Sequence, residues 1–334
     1  MRIFIVKSQN QSNWGYLIDG TELKEFYVRK YLDTSKKIRF QTKFSNEHTL
    51  SSIEGNLTEL IEEQLIPNRD FVSDTWEELS NLPGQYYPTI YRPFLNLSHE
   101  SSNYGNERIF ALEELLYDEK KSQIEGSFLV ENFDSENAII SFNQATILVR
   151  TLNKIFEFTL PSPSNLSSYG NATRDLLILT CTEFETHMKS ILVKNNIRSI
   201  HQFYNTKDYV RLKDILHLTS YKVSINHYPT LVDNNPFINW ETSAPTASLE
   251  WYDNYNKVKH DRENNFHLGS IKSCIDAICA VLIVLASKYG HSGILWNREL
   301  NDFFRFSSLP TFPKNELYIP PVDNDDWVEK SLTL

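Results

Sequence analysis

The chain has 334 residues, of which 40% are hydrophobic and 23% charged, with a formal net charge of -10. That balance is the balance of a globular protein with ample core material and room for two domains, and it excludes an intrinsically disordered chain. The negative charge also excludes nonspecific nucleic-acid binding over the whole surface, so any RNA or DNA contact has to be local.

The first 160 residues read as a mixed α/β domain. MRIFIV, WGYLI, EFYV and KIRFQTKF are short runs rich in β-branched and aromatic residues, separated by polar turns, as strands are. Leu57 to Leu65 and Glu107 to Tyr117 read as helices, and GSFLVENF, AIISF and ATILVRTL as two or three further strands. The first run lacks the small-residue cleavage pattern of a signal peptide. The most apolar segment, Cys274 to Ala286, is too short for a bilayer and carries Asp276, so no membrane role is expected and the expected compartment is cytoplasmic. Cys181, Cys274 and Cys279 have no metal-like spacing and lie in apolar stretches, where a thiol acts as a small buried hydrophobe.

Composition changes at Pro161-Ser162-Pro163-Ser164, a linker, and residues 165–290 read as a helical bundle. Leu177, Cys181, Phe184, Met188 and Ile191 repeat every four and three residues, which predicts one apolar helix stripe. Glu183 and His187 fall on its other side as a solvated pair. Lys207 to Leu218 predicts a second helix, and Pro229, Pro236 and Pro245 mark a looped region. A helix from about Ala247 to His260 follows. Ile271, Ile275, Ile278, Leu282 and Leu285 then form a last stripe, which Gly290 stops. Residues 291–334 read as an aromatic, Pro-containing tail whose Trp296, Phe303, Phe304 and Phe306 pack it onto the body.

The segment Glu250 to His267, EWYDNYNKVKHDRENNFH, carries the most chemistry. Residues four apart share a helix face, so Asn256 and His260 project together with Lys259 beside them. RNA carries its own nucleophile, the ribose 2′-hydroxyl, so cleavage needs a proton acceptor and cations for the developing phosphorane charge. Histidine suits the first task and Lys or Arg the second, while Asn can hold a phosphate or ribose oxygen. No HExxH motif or tight carboxylate cluster accompanies them, and the expectation is no metal and no cofactor. The same residues also suit an ordinary polar helix end, where His, Lys and Arg complement the dipole. Trp240, Trp251 and Tyr252 suit either base stacking or core packing.

Several of these segments together resemble the HEPN superfamily. They are YGNATRDLLILTCTEFETHMKSIL, Asp208-Tyr209, Pro236-Phe237, Trp240, WYDNYNKVKHDR and the final apolar helix, spanning Asn165 to Tyr289. The resemblance implies an α+β N-terminal domain followed by an all-α HEPN-like bundle, forming a homodimer. It also implies a metal-independent endoribonuclease in bacterial toxin or anti-phage defence, acting on tRNA or mRNA, with a possible protein partner or antitoxin. The alternative is a catalytically inactive HEPN-like dimerisation or interaction module. The family's Arg-x(4–6)-His motif fits in two registers. In one, Asn256 and His260 match, Tyr255 stands at the Arg position, and Lys259 or Arg262 supplies the charge. In the other, Arg262 and His267 match directly. The resemblance also brings Glu183 near the motif helix, where it could orient the His260 ring.

Overall fold

The computed structural model describes residues 2–7, 15–19, 22–32, 38–49, 75–94, 135–291, 293–294, 297–322 and 325–334. The helices expected at Leu57–Leu65 and Glu107–Tyr117, the strand expected at GSFLVENF, and Trp296 lie outside the described residues. The protein mixes strands and helices, with several helices in its C-terminal part. It divides into two compact units.

The first unit gathers the described residues within 1–86, 92–132 and 312–330. The four expected strands form: β1 (Arg2–Lys7), β2 (Gly15–Asp19), β3 (Glu22–Leu32) and β4 (Ile38–Thr49). With β5 (Thr75–Glu78) they make an antiparallel sheet in the order β4-β3-β2-β1-β5. Ile3 and Leu17 pair across β1 and β2, and both side chains are buried. Phe26 lies directly over Gly15, where an added Cβ would fall 2.1 Å from its ring, so only glycine fits there. Ile3, Leu17, Phe26, Leu79 and Ile319 form the core, which places tail residue Ile319 inside this unit. Tail strand β9 (Val328–Glu329) pairs with β6 (Gln85–Tyr86) in parallel. Trp327 packs its ring against Tyr86, Phe94 and Tyr318.

The second unit gathers the described residues within 87–91, 133–311 and 331–334. Its first helix, α1 (Ser135–Phe158), corrects the strands read at AIISF and ATILVRTL. Ala138, Phe142, Ala145, Val149, Leu152 and Phe156 are all buried and recur every four, three, four, three and four residues. That is helix periodicity; Ile139, Ile140 and Ile147 obscured it by adding β-branched apolar residues on the exposed side. The residues of α1 therefore belong with the helical unit, and 312–330 with the strand unit, in place of a division at 161 and a separate tail.

Helix α2 (Asn171–Lys194) buries all five residues of its expected stripe. The single helix expected over Lys207 to Leu218 is instead a short one, α3 (Thr206–Tyr209), followed by 3-10 turns at Val210–Leu212 and Leu218–Ser220. Its buried residues Tyr209, Val210, Leu212, Leu216 and Leu218 keep no common 3.6-residue face, and His217 takes a left-handed conformation at φ 51°. Strand β7 (Lys222–Ile225) follows.

Helix α4 (Glu250–His260) carries the motif, and α5 (Arg262–Asn265) follows it after Asp261. Helix α6 (Ile271–Tyr289) is capped by the Ser270 side chain and ends at Gly290. From Ser273 to Tyr289 only Asp276 escapes full burial, so α6 is the central helix of the unit and packs against α1, α2 and α4. Helix α7 (Arg298–Phe303) leads into β8 (Phe304–Ser308), which pairs antiparallel with β7. Among the described residues no helix is long and apolar enough to cross a membrane.

Candidate functional site

The orientation of α4 follows from its sequence. Trp251, Tyr252, Tyr255 and Val258 are buried, which turns Asn256 and His260 toward solvent one turn apart. On the far flank Lys257 pairs with Asp253 at 2.7 Å, and Asn254 Nδ2 donates to Ser273 Oγ at 3.1 Å on α6. His260 is the last residue of the helix and is exposed.

Lys259 does not join that pair. Its ammonium donates to the Tyr255 hydroxyl at 2.8 Å and lies 5.0 Å from the centre of that ring. The hydrogen bond to Tyr255 is the main cause that holds the Lys259 ammonium above its ordinary range. Beside it Tyr252 donates to Glu185 Oε1 at 2.6 Å. Burial first, then the Glu185 hydrogen bond, raises the Tyr252 phenol well above its usual range, and burial followed by Glu185 does the same to Tyr209. These phenols stay protonated and act as donors and packing groups. Tyr255, at the position where the motif expects Arg, is buried and supplies the oxygen on which Lys259 rests.

Of the two roles open to Trp240, Trp251 and Tyr252, the structure gives them core packing. Phe184 sits edge-on to Trp251 at 5.1 Å and to Tyr252 at 5.9 Å, with Phe237 tilted against it at 6.0 Å. Both indole N–H groups are used inside the fold: Trp240 donates to Pro245 O and Trp251 to Pro236 O. No ring face is left for a base.

Glu183 faces a histidine of its own helix. Its carboxylate lies 3.2 Å from His187 Nε2, at an angle that makes a charge contact and not an aligned hydrogen bond. The His187 side is no solvated surface: His187 is 3% exposed and Lys288, from α6, is 2% exposed with its ammonium 3.3 Å from His187 Nδ1. Burial is the main cause that lowers the His187 imidazole below its ordinary range, while the neighbouring Glu183 opposes it. The four-residue spacing that read Glu183 and His187 as a surface pair had no information on the lysine 101 residues later.

Arg262 and His267 fall beyond α4. Arg262 is exposed at the start of α5, and His267 is exposed in the Phe266–Leu268 turn with its ring edge-on to Tyr169 at 6.3 Å. The motif residues thus divide. Asn256 and His260 share a face, Lys259 turns back onto Tyr255, and Arg262 and His267 occupy the next two turns.

Beside Asn256 opens a pocket of about 470 Å³, lined by His201, Asn205, Thr206, Lys207, Thr246, Tyr252 and Asn256. Asn205 caps α3 by accepting from Lys207 N, and Asp208 returns the bond to Asn205 N. This capping box was legible as N-x-x-D, but nothing local in the sequence connects it with α4. Among the described residues no three His, Cys, Asp or Glu side chains converge as a metal site needs.

Comparison with family models, with curated proteins and with solved structures found no match.

Proposed function

We propose that the helical unit is a metal-independent endoribonuclease of the HEPN type. One observation carries the reading: the exposed His260 imidazole ends α4 one turn after the Asn256 amide, which lines a pocket. Neither side chain makes a hydrogen bond or ion pair with the described residues, so both are available to a ligand. The resemblance of Tyr255 to His260 to the HEPN motif supplies the reaction class.

His260 takes the proton from a ribose 2′-hydroxyl as the 2′-oxygen attacks phosphorus. The bond to the 5′-oxygen breaks, and the imidazolium returns the proton to that leaving oxygen. The products are a 2′,3′-cyclic phosphate and a 5′-hydroxyl, with no external water, metal or oxidant. Asn256 holds a phosphate or ribose oxygen, and Arg262 neutralises charge on the phosphorane. Lys259 contributes as a nearby positive charge from its seat on Tyr255. General acid–base help of this kind is worth about 10²–10⁴-fold. The enzyme would act in the cytoplasm, as a homodimer, on tRNA or mRNA in toxin or anti-phage defence, with the strand unit selecting the target or a protein partner such as an antitoxin.

A second reading, an inactive interaction module, is favoured by a different observation. Helix α1 leaves Ile140 52% and Ile147 48% exposed one heptad apart, and the neighbouring α2 leaves Leu179 and Val193 open. The test is incubation of the purified protein and its His260→Ala form with tRNA and total RNA in EDTA. Cleavage by the parent protein alone supports the enzyme; cleavage by neither supports the interaction module. His267→Ala separates the registers, because activity lost there and kept in His260→Ala assigns the motif to Arg262 and His267.

A further inference from the structure

The pocket beside α4 has a lining that divides by how its polar atoms are used. Four residues use them within the protein. Asn205 accepts from Lys207 N and donates to Phe203 O, Thr206 and Thr246 share a hydrogen bond at 2.5 Å, and Tyr252 donates to Glu185. The other three, His201, Lys207 and Asn256, make no side-chain hydrogen bond or ion pair with any described residue. The lining therefore offers an ammonium, an imidazole and an amide, all uncommitted, and no carboxylate. The pocket's volume lies in the range of small-ligand sites.

We infer that this pocket holds the phosphate and ribose of one nucleotide of single-stranded RNA, next to the linkage that His260 cleaves. The inference rests on the ribonuclease reading and deepens it by assigning the substrate a second subsite. Lys207 acts as a point charge on a phosphate oxygen, as lysine does where no bidentate fork is needed. His201 donates to the same phosphate, and Asn256 bridges the pocket to the cleavage position because its helix face also carries His260. The pocket does not read the base: Tyr252 is buried with its hydroxyl engaged, so no aromatic face is offered for stacking. Binding is thus sequence-tolerant, and choice of target falls to other surfaces.

The experiment measures binding separately from cleavage. Short fluorescent single-stranded RNAs, one rich in A and one rich in U, are titrated by anisotropy into the His260→Ala protein in EDTA at several salt concentrations. A Lys207→Glu change in that background weakens both RNAs alike, by roughly tenfold, and lowers the salt slope by about 0.7 for the lost phosphate contact. His201→Ala weakens them in the same direction. Lys154→Glu, an equal charge reversal at an exposed site on α1, leaves the affinity unchanged. Unaltered affinity in Lys207→Glu, an equal loss in Lys154→Glu, or no RNA binding by the His260→Ala protein overturns the subsite. If RNA binds in a Lys207-dependent way while the parent protein cuts nothing, the pocket stands and the nuclease reading falls.

Discussion

Lowering the pH from about 7.5 to about 5.5 should destabilise the helical unit through His187. In the folded protein this imidazole is enclosed between α2 and α6, with the Lys288 ammonium 3.3 Å from Nδ1 and Glu183 3.2 Å from Nε2. Burial first, and the charge of Lys288, hold it below its ordinary value, against the pull of Glu183. The unfolded chain has an ordinary imidazole with a value near 6.5. Below that pH the unfolded state binds the proton first, so stability is full above about pH 6.5 and is lost as pH falls toward and through the folded value. One proton sets a ceiling of about 1.4 kcal/mol per pH unit on the loss from this group.

The assay is urea unfolding followed by circular dichroism at about pH 7.5, 6.5 and 5.5. The comparison protein is His187→Asn, which keeps an acceptor near Nδ1 and cannot titrate. His291, lowered by burial as well, shifts both proteins in the same sense and cancels in the difference. Glu183, itself lowered chiefly by its 3.2 Å contact with His187, loses its contribution only below the usual carboxylate value of 4.5. The parent protein should therefore lose stability over this window faster than His187→Asn. Equal slopes in the two proteins would refute the argument, and would mean that His187 titrates alike folded and unfolded.

Three further outcomes follow from the packing. Phe184→Ala removes a ring that is fully buried among Trp251, Tyr252 and Phe237, and should cost about 3–5 kcal/mol in the same urea assay. Tyr252→Phe deletes the 2.6 Å bond to Glu185 and leaves a partly buried carboxylate without that donor, at a cost of about 1–3 kcal/mol, and the Tyr252→Phe, Glu185→Leu double variant should recover part of it. Gly290→Ala forces a side chain onto φ +86°, ψ 151° with its Cβ 3.0 Å from the Tyr91 ring, and should lower stability by about 1–3 kcal/mol, read as a reduced thermal midpoint.

Much of the helical unit was legible because its signals are local and periodic. The stripes of α2 and α6 each hold one face for their whole length, and the Gly290 stop has the backbone that only glycine takes easily. The strands β1 to β4 were legible for the same reason, as short β-branched runs between turns. Helix α1 was misread because Ile139, Ile140 and Ile147 filled the face that a surface helix usually leaves polar, and the apolar residues then looked continuous. The site was legible only where it lies on one helix. Asn256 and His260 could be paired by spacing, but the walls that His201, Lys207 and Thr246 supply depend on the path of the chain between α2 and α4. The meeting of His187 with Lys288 joins two helices across 101 residues, and no spacing rule within either helix contains it.

The ends of the RNA fragments test the central claim most directly. RNA incubated with the protein in EDTA should carry 2′,3′-cyclic phosphate and 5′-hydroxyl ends, and these should be lost in His260→Ala, a substitution at an exposed site that leaves the fold intact. Fragments ending in 5′-phosphate, or cyclic ends produced equally by the His260→Ala protein, would contradict it.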